Sequence, residues 1–145
     1  MGGVGISFEY PNEWKTREIQ GKEEKFFEVS IQGPRNSEDS YSSALSVTMY
    51  PAGRFASVEA AINDYKTKYI KFKEFKIVSS DIKGIEVEYI LKLPFYSKNA
   101  KDVKIREKVM FVMKDGNCFK LRWNSAEADY SKYLPSFHTM CETFQ

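Results

Sequence analysis

The sequence is poor in the residue types that usually declare a function. It has 1 His, 2 Cys and 5 Pro among 145 residues. Two cysteines, Cys118 and Cys141, are too few for a disulfide scaffold, and neither belongs to a CxxC or a metal-ligand cluster. No metal or other cofactor is expected. Charge of one sign is missing as well. The 22 Lys+Arg against 20 Asp+Glu leave a net charge of +2, which excludes the strongly basic signature of a general DNA binder and an acidic solvating tail. No stretch approaches the roughly 18 apolar residues that a membrane-crossing helix needs. There is no Asn-x-Ser/Thr sequon, internal repeat, low-complexity tract or Pro/Gly-rich linker, so residues 1–145 are read as a single domain. The nucleophile elbow G-x-S-x-G, the zinc motif H-E-x-x-H, the P-loop and the dinucleotide fingerprint G-x-G-x-x-G are all absent. These absences weigh against an enzyme.

Aromatic and apolar residues are plentiful. Phe, Trp and Tyr make 15% of the chain and hydrophobic residues 42%, which excludes a disordered polypeptide. A chain of this length buries roughly 70% of its extended surface, enough for a core without staples. The start, Met1-Gly2-Gly3-Val4-Gly5, has no apolar core of a signal peptide and runs directly into a strand-like alternation at Ile6. The expectation is that the natural protein extends further at its N-terminus.

Alternation dominates the pattern. Ile6-Ser7-Phe8-Glu9-Tyr10 alternates and is followed by a Pro11-Asn12 turn before Trp14. Strands are expected over 24–32, ending at Gly33-Pro34, and over 44–50, with a polar, Ser-rich loop over 35–43 between them. The period then changes to that of a helix. Ser57 is a good N-cap, and Val58, Ile62, Tyr65, Tyr69 and Phe72 form one stripe, predicting a helix over 58–71. Three strands follow, over 75–82, 84–95 and 103–114. The second puts Ile85, Val87, Tyr89 and Leu91 on one face and Glu86 and Glu88 on the other. The third puts Val103, Ile105, Val109 and Phe111 on one face, with Lys104, Arg106 and Lys108 on the other.

In the last strand Phe119, Leu121 and Trp123 are the apolar face. If all apolar faces share one side of the sheet, a two-residue Asp115-Gly116 loop would set Phe111 against Lys120 and mix the faces. A three-residue loop pairing Phe111 with Leu121 is therefore predicted, and Lys114 opposite Asn117 would refute it. Cys118 would then look out of the polar face beside Lys120 and Arg122. A short turn over 129–133 leads to a C-terminal helix with Pro135 in its first position and a stripe of Phe137, Met140, Cys141 and Phe144. Cys118 and Cys141 are not expected to meet.

The run Gly5-Ile6-Ser7-Phe8-Glu9-Tyr10-Pro11-Asn12-Glu13-Trp14 resembles the F-x-Y-P-x-x-W opening of PsbP-like domains. The strand before the helix at Val58, the long hairpin from Gly84 to Lys114, and the closing Asp129-Tyr130, Leu134-Pro135-Ser136-Phe137 and Glu142-Thr143-Phe144 extend the resemblance from Gly5 to Phe144. It implies an α+β fold, an antiparallel β-sheet sandwiched between helices (an α-β-α sandwich). It implies no enzymatic activity, and no functional residue of the family carries over. Prokaryotic members are exported or membrane-tethered, so the resemblance implies an extracytoplasmic or tethered protein.

The remaining chemistry is weighed residue by residue. His138 flanks the apolar stripe of its helix and reads as a surface or half-buried helix residue rather than a catalytic base or ligand. Glu86 and Glu88 share a strand face, but Lys104, Arg106, Lys108, Lys120 and Arg122 are assigned to the same side, so cross-strand ion pairs are expected. Two basic segments stand out, Lys66 to Lys76 and Lys98 to Lys108. The expected function is a non-catalytic binding or assembly module docking a protein partner through Tyr96, Lys98, Lys101 and Arg106 at the hairpin end. An anionic membrane surface is a second possible partner, and nucleic acid is disfavoured. The alternative is a small-molecule carrier or enzyme with a pocket between sheet and helix, lined in the carrier version by Tyr89, Phe111 and Trp123.

Overall fold

A computed structural model describes residues 6–20, 27–35, 42–80, 83–93 and 101–145. Seven strands form one sheet: β1 (Lys15–Gln20), β2 (Phe27–Arg35), β3 (Ser42–Tyr50), β4 (Lys73–Ser80), β5 (Gly84–Leu93), β6 (Lys101–Lys114) and β7 (Asn117–Ala126). Helix α1 (Val58–Tyr69) follows β3, and α2 (Tyr130–Thr143) closes the chain. The strand order is β1-β2-β3-β7-β6-β5-β4, antiparallel between the neighbours throughout. Two meanders thus join at β3 and β7, and α1 carries the chain from the centre of the sheet to its far edge.

Each helix forms for a visible reason. Ser57 Oγ accepts from the Ala60 amide at 3.1 Å, Glu59 lies in the first turn of α1, and Lys66 and Lys68 lie in its last. Ala61, Ile62 and Tyr65 point into the sheet. In α2 the buried residues are Tyr130, Tyr133, Phe137 and Met140, at helical spacings of 3, 4 and 3. The helix therefore starts at Tyr130, within the stretch expected to be a turn, and Pro135 lies inside it rather than at its first position. The N-terminal aromatic stripe outweighs the amide that Pro135 lacks.

The helices cover opposite faces of the sheet, and two cores result. Under α1 lie Tyr65, Val87, Tyr89, Ile105, Val109, Phe111 and Cys118. Under α2 lie Ile31, Leu45, Val47, Phe119, Leu121, Trp123 and Phe137. The apolar side of β5 and β6 is thus the α1 side, while that of β3 and β7 is the α2 side.

This explains the main correction to the sequence reading. Lys114 pairs with Asn117, Phe111 with Lys120 and Val109 with Arg122, so the β6–β7 loop is the two-residue Asp115-Gly116 turn. Both turn residues have positive φ, 51° and 82°, the conformation that a tight hairpin demands. The three-residue prediction assumed one apolar and one polar face. With a helix on each side, the apolar faces of β6 and β7 point in opposite directions. Cys118 consequently does not look outward but is buried beneath α1, and Lys120 and Arg122 lie on the face opposite to Lys104, Arg106 and Lys108. Both cysteines are free.

Further differences are local. Residues 6–10 form no strand, although Ser7 and Gln145 exchange backbone hydrogen bonds of 3.1 and 2.9 Å. β1 is an edge strand with little apolar alternation. β2 continues through Gly33-Pro34 to Arg35 across a register shift, and Ser42 and Ser43, expected in the loop, open β3. The rest of that loop, at 36–41, lies outside the described residues.

Gly84 sits so close to β6 that a Cβ would meet the Val109 carbonyl oxygen at 2.5 Å. A backbone atom in a paired strand cannot give way cheaply. Gly84→Ala should destabilise the domain by about 1–3 kcal/mol, read as a lower urea midpoint in tryptophan fluorescence.

Candidate functional site

On the α1 face the alternation of β6 is broken by one residue. Glu107 shares the face of Ile105 and Val109, yet it is a carboxylate with 0% exposure. Four donors converge on it. The Tyr65 hydroxyl donates to Oε2, while Tyr89 Oη, Arg122 Nε and Asn124 Nδ2 reach Oε1 at 3.3, 2.7 and 3.2 Å. They come from α1, β5 and β7, so the carboxylate ties the helix to three neighbouring strands. Burial, reinforced by Glu107, raises the Tyr65 hydroxyl far above its ordinary pKa, so it stays a donor. Burial works against the Arg122 charge, but Glu107 overrides it and holds the guanidinium above its usual value. This is a satisfied ion pair with a structural role. The signal that finds Glu107 in the sequence is its parity, as the one acid in the run Val103, Ile105, Glu107, Val109, Phe111.

Next to this hub, a cavity of about 80 Å³ beneath α1 is lined by Tyr50, Phe55, Tyr65, Tyr69, Phe111 and Lys120, among others. Burial and the Arg122 charge lower the Lys120 pKa to about 8.

On the α2 face Glu86 and Glu88 are engaged in cross-strand ion pairs, with Arg106 and Lys104 but not with Lys108, Lys120 or Arg122. Arg106 Nη2 lies 3.3 Å from Glu86 Oε1, and Lys104 Nζ lies 3.8 Å from Glu88 and 3.3 Å from Glu127. The Tyr130 hydroxyl also donates to Glu86, and Ser79 Oγ donates to it at 3.3 Å. The Arg106 guanidinium is 4.3 Å above the Tyr130 ring. Burial and Glu86 together raise the Tyr130 pKa beyond the ordinary range.

Two larger clefts open on this side. One, of about 350 Å³, lies between α2 and the β4–β5–β6 sheet and includes Ser79, Glu86, Lys108, Met110, Phe137 and Cys141 in its walls, with His138 at its rim. The other, of about 550 Å³, is lined by Trp14, Gln32, Pro34, Ser42, Lys132 and Tyr133, among others. The imagined pocket of Tyr89, Phe111 and Trp123 does not exist, because Trp123 lies on the opposite face from the other two.

Of the expected contact residues, Tyr96 and Lys98 lie outside the described residues. Lys101 opens β6, with its backbone paired to Leu93. Arg106 stands five residues further along, about 17 Å at strand rise, on Glu86 and Tyr130. The structure thus does not gather these residues into one described cluster. Among the described residues no group of His, Cys, Asp or Glu could hold a metal ion, and no helix is long and apolar enough to cross a membrane.

An antiparallel sheet sandwiched between helices, with a buried carboxylate that holds its layers together, defines a class of small α+β domains. The chain belongs to the PsbP family, whose model matches residues 3–145. Solved structures that share the fold include the following two. The solution structure of cyanobacterial PsbP (CyanoP) from Synechocystis is 13% identical with a TM-score of 0.52, over 97% of this chain and 86% of that one. LpqN of Mycobacterium tuberculosis, involved in cell envelope biogenesis, is 13% identical with a TM-score of 0.50, over 97% and 82%. No curated protein matches the chain.

Two predictions follow from the α1 face. Glu107→Ala leaves Arg122 and three neutral donors without their acceptor and should cost about 3–5 kcal/mol in chemical denaturation. Replacing both Glu107 and Arg122 by apolar residues should recover part of that loss. For Lys120, the unfolded amine keeps its proton up to its ordinary 10.5, whereas the folded one loses it near 8. The penalty of the buried ammonium is therefore full below pH 8 and disappears as pH rises through 10.5. Lys120→Met should be more stable than the parent at pH 7, and denaturation at stepped pH should show the advantage shrinking through that window.

Proposed function

We propose that this PsbP-family chain is a non-catalytic binding or assembly module that docks a protein partner outside the cytoplasm. The observation that carries this reading is the occupation of its carboxylates. Glu107 is taken up by Tyr65, Tyr89, Arg122 and Asn124, and Glu86 and Glu88 by Arg106, Lys104 and Tyr130. Groups fixed in this way hold layers together and are poorly placed to exchange protons with a substrate. The compartment is argued from the fold shared with LpqN, a protein of cell envelope biogenesis.

The docking surface is the end of the β5–β6 hairpin. Tyr96, Lys98 and Lys101 combine an aromatic anchor with two cations, a combination that suits an acidic patch on a partner. The β4 edge is a poorer docking surface. It carries Lys76 and two register irregularities, features that obstruct strand addition. Lys98→Ala combined with Lys101→Ala should reduce cross-linked partner recovery at least several-fold and leave the urea midpoint unchanged. Undiminished recovery would remove the hairpin end from the reading.

A further inference from the structure

The cleft between α2 and the β4–β5–β6 sheet holds a cation without a counter-ion. Lys108 lines it, and among the described residues its ammonium makes no ion pair or hydrogen bond. This is unusual, because its cross-strand neighbour is an acid, Glu86. That carboxylate is drawn away by Arg106 at 3.3 Å, the Tyr130 hydroxyl and Ser79 Oγ at 3.3 Å. Lys108 is thus left facing an apolar wall. Phe137 is buried there, and Met110 and Cys141 are half-buried. The Cys141 thiol reports the same neighbourhood. Burial pushes it up to about 12, and the nearby Lys108 charge opposes the rise. Lys83 and the exposed His138 stand at the rim.

The cleft encloses about 350 Å³, which lies within the range of small-molecule sites and exceeds what an ordered water or two would fill. An apolar wall with a single uncommitted ammonium is complementary to one anionic head on a short apolar body. Glu86 also lines the cleft, but its charge is balanced by Arg106, so the field left over is positive, that of Lys108 with the exposed Lys83 beside it. We propose that this cleft binds a medium-chain carboxylate, with the chain against Met110, Phe137 and Cys141 and the carboxylate on Lys108. The site lies at the Gly84 end of β5, about 30 Å in strand rise from Leu93 and the hairpin end, so it stands or falls independently of partner docking.

The test uses the intact chain and sodium octanoate in titration calorimetry. Octanoate should bind, octanol should bind roughly tenfold more weakly, and Lys108→Met should lower octanoate affinity to the octanol level, while Lys108→Arg retains it. A thiol footprint locates the ligand. Octanoate should slow alkylation of Cys141 by N-ethylmaleimide severalfold and leave Cys118, buried on the other face, unchanged. Absence of octanoate binding at millimolar concentration, equal binding of octanoate and octanol, equal affinity in Lys108→Met, or an unprotected Cys141 would each overturn the proposal. The footprint on the unsubstituted chain keeps the test decisive even if a Lys108 variant folds poorly.

Discussion

The contact between Glu107 and Arg122 makes the rest of the architecture possible. A sheet covered by one helix on each face needs apolar side chains on both sides. The chain meets this by turning the apolar face of β6 towards α1 and that of β7 towards α2. The two-residue Asp115-Gly116 turn fixes the register that achieves it. The consequence is that the polar side of β7 is pressed against the apolar side of β6, beneath α1. Arg122 would be a half-buried, unpaired charge there. Glu107, set diagonally across the ladder, supplies its partner at 2.7 Å and collects Tyr65 from the helix above. The ion pair is therefore a condition of the fold's two-faced burial, not an ornament on it.

The same division shapes the surface. α2 packs on β7 and leaves the β5–β6 part of its face to Glu86, Glu88, Lys104 and Arg106. Those residues form a nearly self-neutralised field, with Tyr130 at the start of α2 capping it. A polar half-face of this kind contributes little stability per pair. It does put Glu86 and Lys108 into the cleft between α2 and the β4–β5–β6 sheet.

Much of this was legible in the residues. The α1 stripe and its Ser57 cap, the alternation of Ile85 to Leu91, and the ion pairing of Glu86 and Glu88 are local patterns, and the structure keeps them. β1 was not legible, because Lys15-Thr16-Arg17-Glu18-Ile19-Gln20 is an edge strand whose pairing to β2 does not rest on alternating apolar residues. The start of α2 was hidden by Pro135, although Tyr130 and Tyr133 already continue the stripe of Phe137 and Met140. The hairpin register failed for a different reason. Parity along a strand says which residues share a face, but not which faces are covered. That depends on where two helices dock, which is a property of the whole chain. Glu107 shows what a stricter reading would have yielded. An acid at the parity of four apolar neighbours needs a partner on the same face, and Arg122 occupies that face only in the two-residue register.

Register also decides where charge is left over. On the α1 side the diagonal arrangement pairs Glu107 with Arg122, and the nearby Lys120, with its lowered pKa, bears the strain of the mixed faces. On the α2 side two acids of β5 share a face with three bases of β6: Glu86 is directly opposite Lys108 and Glu88 opposite Arg106, while Lys104 is opposite Ile90. Tyr130 reaches Glu86 from the helix and Arg106 reaches it from β6, while Glu88 serves Lys104 and lies 4.0 Å from Arg106 Nε. Two carboxylates cannot neutralise three cations, and Glu127 relieves only Lys104. The surplus must fall on the base furthest from Glu88 and Glu127, which is Lys108, and that base sits where α2 turns its apolar residues to the cleft. The unpaired cation is thus a product of the strand register and the helix placement together, and both trace back to the hairpin turn that set the two faces.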